Sequence, residues 1–162
     1  ASSTFLTKTF TVHDYWAYQS SGSHTFSSSN MTWHKLYDLN GIGDCEISVK
    51  LKSASTHGFT LEYREYDNTD NLNRVRIGSS GTNKCIVSSY NGTTDDYHEN
   101  GNSYTANSDL YCKIICQNNT ISATIQSSTY TVQHLSNLRY IGIMDWNNAK
   151  TVSWTDFIVK KL

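Results

Sequence analysis

FTLEYREYDNTDNLNRVRI, residues 59–77, reads as two strands joined by a polar turn. In the first half Phe59, Leu61 and Tyr63 alternate with Thr60, Glu62, Arg64 and Tyr66; in the second, Val75 and Ile77 alternate with Arg74 and Arg76. Successive residues of a strand point to opposite faces, so each strand has one apolar face and one charged-aromatic face. The turn from Asp67 to Asn71 folds the halves together, setting Glu62 opposite Arg76 and Arg64 opposite Arg74. Like charges directly opposite are unfavourable. The Arg-Arg pair therefore implies a compensating partner, and a polar ligand on that face is one.

Outward from this hairpin, period-two stretches recur and no helical period persists for ten residues or more. Strands are expected near 4–12, 31–39, 44–52, 58–66, 72–77, 84–90, 110–117, 120–126, 130–134, 138–146 and 151–160. Proline is absent, so Gly, Asn, Asp and Ser carry the turns. Asn118-Asn119 marks a tight hairpin. Ser20 to Ser29 and Asn91 to Asn102 read as polar loops, placing Asp95, Asp96, Tyr97 and His98 outside strands. Many short strands with regular turn signals predict an all-β fold, an antiparallel two-sheet β-sandwich. Its core is expected to include Phe10, Val12, Trp33, Ile47, Leu61, Ile143, Trp154 and Phe157. The closing stretch SWTDFIVKKL is expected to dock inside a sheet.

The 162 residues suit one domain. They are expected to form a single binding module, residues 1–162, at the end of a longer protein. A net charge of −1 leaves no basic field for a nucleic-acid backbone. No apolar run approaches the ~18 residues of a membrane span. Charged residues are only 17% while aromatics reach 12%, so the surface offers hydroxyl, amide and ring contacts. Asn30, Asn91 and Asn118 head glycosylation-type triplets that matter only in a host that glycosylates secreted Asn. The cysteines, Cys45, Cys85, Cys112 and Cys116, form no CxxC and no zinc-ligand spacing. Cys112 and Cys116 lie too far apart along a strand to bond each other. Buried thiols and bridges to Cys45 or Cys85 both remain open.

Glycosidic hydrolysis usually requires two carboxylates about 5–9.5 Å apart. Glu62 and Glu65 are three apart and face opposite sides of a strand. Arg64 and Arg76 would keep Glu62 ionised and unfit as a general acid. The chain is therefore expected not to be an enzyme. As a polar binding surface, Glu62, Arg64, Arg74 and Arg76 offer paired hydrogen bonds to hydroxyls or anionic groups. Tyr66 and Trp146 supply flat apolar faces for sugar rings. Trp16, Tyr97 and His98 are alternative rim contacts.

Three segments carry a resemblance to a known family: LEYREYDNTDNLNRVRI, LYCKIICQNNTISATI and IGIMDWNNAKTVSWTDFIVKKL. In order and spacing they resemble the concanavalin-like jelly roll of laminin-G-like domains, legume-type lectins and many carbohydrate-binding modules. The resemblance implies two packed antiparallel sheets, with glycan bound on the concave sheet or its rim. It also implies a structural calcium in some relatives, for which Asp67, Asp70 and Asp95 are candidate ligands; no cofactor is expected to be required. The expected function is non-catalytic recognition of a surface glycan or cell-wall polymer. The expected setting is extracellular, at the tip of a microbial adhesin or viral tail fibre. The alternatives are a protein-binding or structural laminin-G-like module and a degenerate jelly-roll glycosidase.

Overall fold

A computed structural model describes residues 15–16, 20–27, 31–68 and 73–162. The expected strand 4–12 with Phe10 and Val12, and also Asp70, Asn30 and the side chain of Trp16, lie outside the described residues. The described strands are β1 (Tyr15–Trp16), β2 (Gly22–Phe26), β3 (Thr32–Asp38), β4 (Cys45–Ser53), β5 (Phe59–Arg64), β6 (Arg74–Ser79) and β7 (Lys84–Tyr90). They continue as β8 (Asp95–Ser103), β9 (Leu110–Gln117), β10 (Thr120–Ile125), β11 (Ser128–Val132), β12 (Tyr140–Asp145) and β13 (Lys150–Lys161).

Two antiparallel sheets result. One runs β1-β13-β4-β9-β10-β11, with β2 also paired to β13; the other runs β3-β12-β5-β6-β7-β8. The terminal strand β13 lies inside its sheet, as its apolar content predicts. Asn118 and Asn119, with φ of 53° and 57°, supply the left-handed pair that a tight β9-β10 turn demands. Between the sheets sit Ile47, Val49 and Leu51 of β4, Phe59, Leu61 and Tyr63 of β5, and Ile141 and Ile143 of β12, all buried. Rings lock across this layer: Tyr37 meets Phe157 at 5.0 Å and Phe59 meets Tyr104 at 5.1 Å. Trp154 is buried as expected.

Two stretches expected as loops hold strands. The Ser20–Ser29 stretch contains β2, and Asn91–Asn102 contains most of β8, so Asp95, Asp96, Tyr97 and His98 are strand residues. Among the described residues each of these strands has a single neighbour in its sheet, β13 for β2 and β7 for β8. An edge strand buries little on either face, so GSHTF and DDYHENGNS lack the apolar alternation that marks a strand. Both close the gap between sheets with polar rings. His24 of β2 stacks on His34 of β3 at 3.8 Å, and His98 of β8 stacks on Tyr130 of β11 at 4.8 Å. The Gln133 N–H also donates to Asp96 Oδ2 at 2.8 Å.

Candidate functional site

The hairpin of β5 and β6 pairs in the expected register, Glu62 with Arg76 and Arg64 with Arg74. Their side chains occupy the outer face of the six-stranded sheet, since Leu61, Tyr63, Val75 and Ile77 between them belong to the core. Glu62 resolves the Arg-Arg apposition. Its Oε1 accepts from Arg64 Nη2 at 2.5 Å, and its Oε2 accepts from Arg76 Nε and, at 3.2 Å, from Thr60 Oγ1. Burial opposes ionisation of Glu62, but Arg76, Arg64 and Arg74 together outweigh it and hold the carboxyl below its ordinary range. Arg74 donates to Ser88 Oγ at 3.2 Å, and Ser88 in turn donates to Asp95 Oδ1 at 2.5 Å.

This charged layer is not at the surface. Glu62 and Arg64 are 0% exposed, Arg76 4% and Arg74 7%. Aromatic rings cover it. The Arg64 guanidinium lies 4.0 Å from the Trp33 ring centre, Arg76 lies 3.5 Å from Trp146, and Arg74 lies 5.0 Å from Tyr90. Trp33, Trp146 and Tyr90 are each only partly buried, so they form the outward layer over the arginines. Both indoles are tethered by their N–H groups. Trp33 Nε1 donates to Asp67 Oδ1 at 2.9 Å, and Trp146 Nε1 donates to Thr60 Oγ1 at 3.2 Å. Lys35 Nζ holds the second Asp67 oxygen at 2.6 Å. A chain therefore runs from Trp146 through Thr60 to Glu62, and from Glu62 to both Arg64 and Arg76.

Gly142 makes room for one of these rings. It pairs with Glu62 on one side and Lys35 on the other, at an irregularity between β12 and β3. A Cβ at Gly142 would stand 2.7 Å from the Trp33 ring and 2.3 Å from the His34 carbonyl oxygen.

Of the residues expected to bind ligand, Trp146 and Tyr66 reach the surface; Tyr66 is 45% exposed in the turn after β5. Glu62, Arg64, Arg74 and Arg76 come together, but beneath the rings. Trp33, expected in the core, is an outer-face residue. Its signal was present in TWHKLYD, where Trp33 and Lys35 share a period-two face. Tyr90 falls on the same outer face by its pairing with Arg74. The candidate calcium ligands Asp67 and Asp95 are separated, Asp67 engaged with β3 and Asp95 on β8 at the far edge. Among the described residues no cluster of three His, Cys, Asp or Glu side chains is placed to hold a metal ion. Glu65 leaves the site and accepts from Asn73 Nδ2 at 2.8 Å.

No protein-family model matches the sequence, and no curated protein matches it. Among solved structures, the chain is similar to a functionally unknown protein from Saccharomyces cerevisiae, with 10% identity over 94% of both chains and a TM-score of 0.64. It is similar to the carbohydrate binding module CBM66 from Bacillus subtilis, at 12% identity over 86% of this chain and 95% of that one, TM-score 0.56. It is also similar to a polysaccharide lyase of family 18, at 8% identity over 87% of each chain, TM-score 0.53. At these identities the likeness is one of fold alone.

Proposed function

We propose that this chain is a non-catalytic module that recognises a surface glycan or cell-wall polymer on the outer face of its six-stranded sheet. The observation that carries the reading is the pair of indoles, Trp33 and Trp146, each backed by a guanidinium and tethered through its N–H. Rings fixed in this way present flat apolar surfaces that lose little freedom when a sugar ring stacks on them. Glu62, Arg64, Arg74 and Arg76 position the rings from below, while Tyr66, Tyr90 and Lys35 supply contacts at the margins. The low charge and hydroxyl-rich surface suit an extracellular setting, as the terminal module of an adhesin or viral tail fibre. Cleavage is the weaker reading, because Glu62 is held ionised by three arginines and has no proton to donate.

Affinity electrophoresis through gels containing neutral and acidic polysaccharides tests binding directly. Retardation in at least one gel is expected. Trp33→Ala and Trp146→Ala should each weaken it by more than tenfold while leaving a folded circular-dichroism spectrum. Loss of neither interaction on such substitution would remove the outer face as the site. Release of oligosaccharides from the retarding polymer would overturn the non-catalytic reading.

A further inference from the structure

On the inner side of β5, beside Tyr63, two of the four cysteines meet. Cys45 opens β4 and Cys116 lies near the end of β9, and the two are directly paired across the strands. Direct cross-strand partners have Cα atoms about 4.5–5.5 Å apart, inside the range a disulfide spans. The two thiols are near enough that each shifts the ionisation of the other, and the Tyr63 hydroxyl acts on the Cys45 thiol as well. That hydroxyl donates to the Leu138 carbonyl at 3.3 Å. The direct pairing puts the two side chains on one face of the sheet, so a bond between them requires no change of backbone register.

Access is unequal. Cys45 is fully buried, whereas Cys116 is half-buried and lines a cavity of about 200 Å³ together with Tyr63, His134, Leu135 and Leu138. The other two cysteines lack this arrangement. Cys85 on β7 and Cys112 on β9 belong to opposite sheets, are both buried, and do not line that cavity. Burial pushes both thiols up, and neither has a cysteine directly across a strand pair. Cys45 and Cys116 titrate as a pair, in which Cys116 draws the Cys45 thiol down and Cys45 pushes the Cys116 thiol up.

We propose that Cys45 and Cys116 form a modification site, a dithiol that closes to a disulfide by exchange with a low-molecular-weight disulfide entering the cavity beside Cys116. In the first step Cys116 loses its proton to solvent in the cavity and attacks one sulfur of the incoming disulfide. A mixed disulfide forms on Cys116, and one small thiolate leaves and takes up a proton. In the second step Cys45, deprotonated, attacks Cys116 Sγ. The Cys45–Cys116 bond forms, the mixed disulfide breaks, and the second small thiolate leaves and is protonated. Two protein thiols are oxidised and one small disulfide is reduced to two thiols. Cys116 is the entry sulfur because it is the accessible one, and Cys45 is the resolving sulfur. The product ties β4 to β9 at the end of the sandwich where Asn118 N–H donates to Asp44 at 3.3 Å.

The reduced native protein, incubated with 2-hydroxyethyl disulfide and mapped by mass spectrometry without reduction, decides the matter. The expected product links the Cys45 and Cys116 peptides, is two hydrogens lighter than the reduced protein, and unfolds at a higher temperature. Cys45→Ser should stop at a stable adduct on Cys116, and Cys116→Ser should leave Cys45 unmodified in the folded state. Three results overturn the proposal: Cys116 unreactive in the folded protein, an adduct on wild-type Cys116 that Cys45 never resolves, or reaction at Cys85 and Cys112 at the same rate. None of these depends on glycan binding.

Discussion

The outer faces of the two sheets are built from similar sequence and end in different states. On the seven-stranded sheet, β4 buries Cys45, Ile47, Val49, Leu51 and Ser53 and leaves Glu46, Ser48, Lys50 and Lys52 half-buried or exposed. β10 alternates in the same way. On the six-stranded sheet, β5 and β6 are buried at every position. Both sheets alternate apolar with polar residues, so alternation does not separate them. What separates them is cover. Rings from β3, β7 and the loop after β12 fold over the charged side of the hairpin, and Glu62 pairs with Arg64 and Arg76 underneath. A charged residue on a strand is therefore not a sign of exposure when large aromatic side chains stand on neighbouring strands.

The contrast is broken hardest at Glu62. Glu62→Ala leaves Arg64, Arg74 and Arg76 crowded in a buried layer, and removing one member of a buried ion pair costs about 3–5 kcal/mol. The equivalent change on the other sheet, Glu46→Ala, should stay within about 0.5 kcal/mol, as surface substitutions do. Denaturant titration of both variants gives the difference directly. Equal midpoints would mean that the covered layer contributes no more than a solvated one.

Gly142→Ala tests the cover rather than the layer beneath. The added Cβ meets the His34 carbonyl oxygen at 2.3 Å and the Trp33 ring at 2.7 Å. Overpacking of this kind costs about 1–3 kcal/mol. The displaced ring should also weaken polysaccharide retardation, and intrinsic tryptophan fluorescence should shift as Trp33 moves. A stability loss with unchanged fluorescence would place the strain in the backbone alone.

Acid separates the sandwich edge from the covered face by where each begins to act. Burial first, then the neighbouring His24, lowers His34 from its ordinary 6.5 to about 4. Between those values the unfolded chain binds a proton that the folded chain refuses, so stability falls as pH falls from 6.5 toward 4. Glu62 acts further down. Its folded value lies below the ordinary carboxylate range, so its contribution is present above that range and lost as pH drops through the folded value. Thermal unfolding midpoints should be level above pH 6.5 and decline below it. His34→Gln should flatten the upper part of that decline and leave the lower part. A level profile from pH 6.5 to 4 would exclude the histidine stack as the source.

These differences show what the sequence makes legible. The hairpin register was readable because Leu61, Tyr63, Val75 and Ile77 can share only one core face, which fixes Glu62 against Arg76. The sandwich was readable because most strands bury one face. The edge strands β2 and β8 were not, since His24, His98 and Asp96 make their contacts across the gap between sheets, where no period within the strand reports them. The cover was half readable. Trp33 and Lys35 share a face in TWHKLYD, but only the tertiary pairing of β3 with β12 shows that this face lies over Arg64.

The smallest expected effect lies on the seven-stranded face. Lys52 and Asp109 approach to 3.5 Å and Lys50 and Asp156 to 3.4 Å, all with substantial exposure. Exposed pairs gain little because water competes for both charges and two long side chains must be ordered. A double-mutant cycle on Lys52 and Asp109 should return about 0.5 kcal/mol or less, shrinking further in 1 M salt. The same cycle on Glu62 and Arg76 should be several times larger and nearly insensitive to salt, because the aromatic cover keeps counterions away from that pair. Salt response is thus the sharper of the two readouts. Stability loss alone would also follow from poor packing, whereas insensitivity to salt requires that the charges be shielded from solvent.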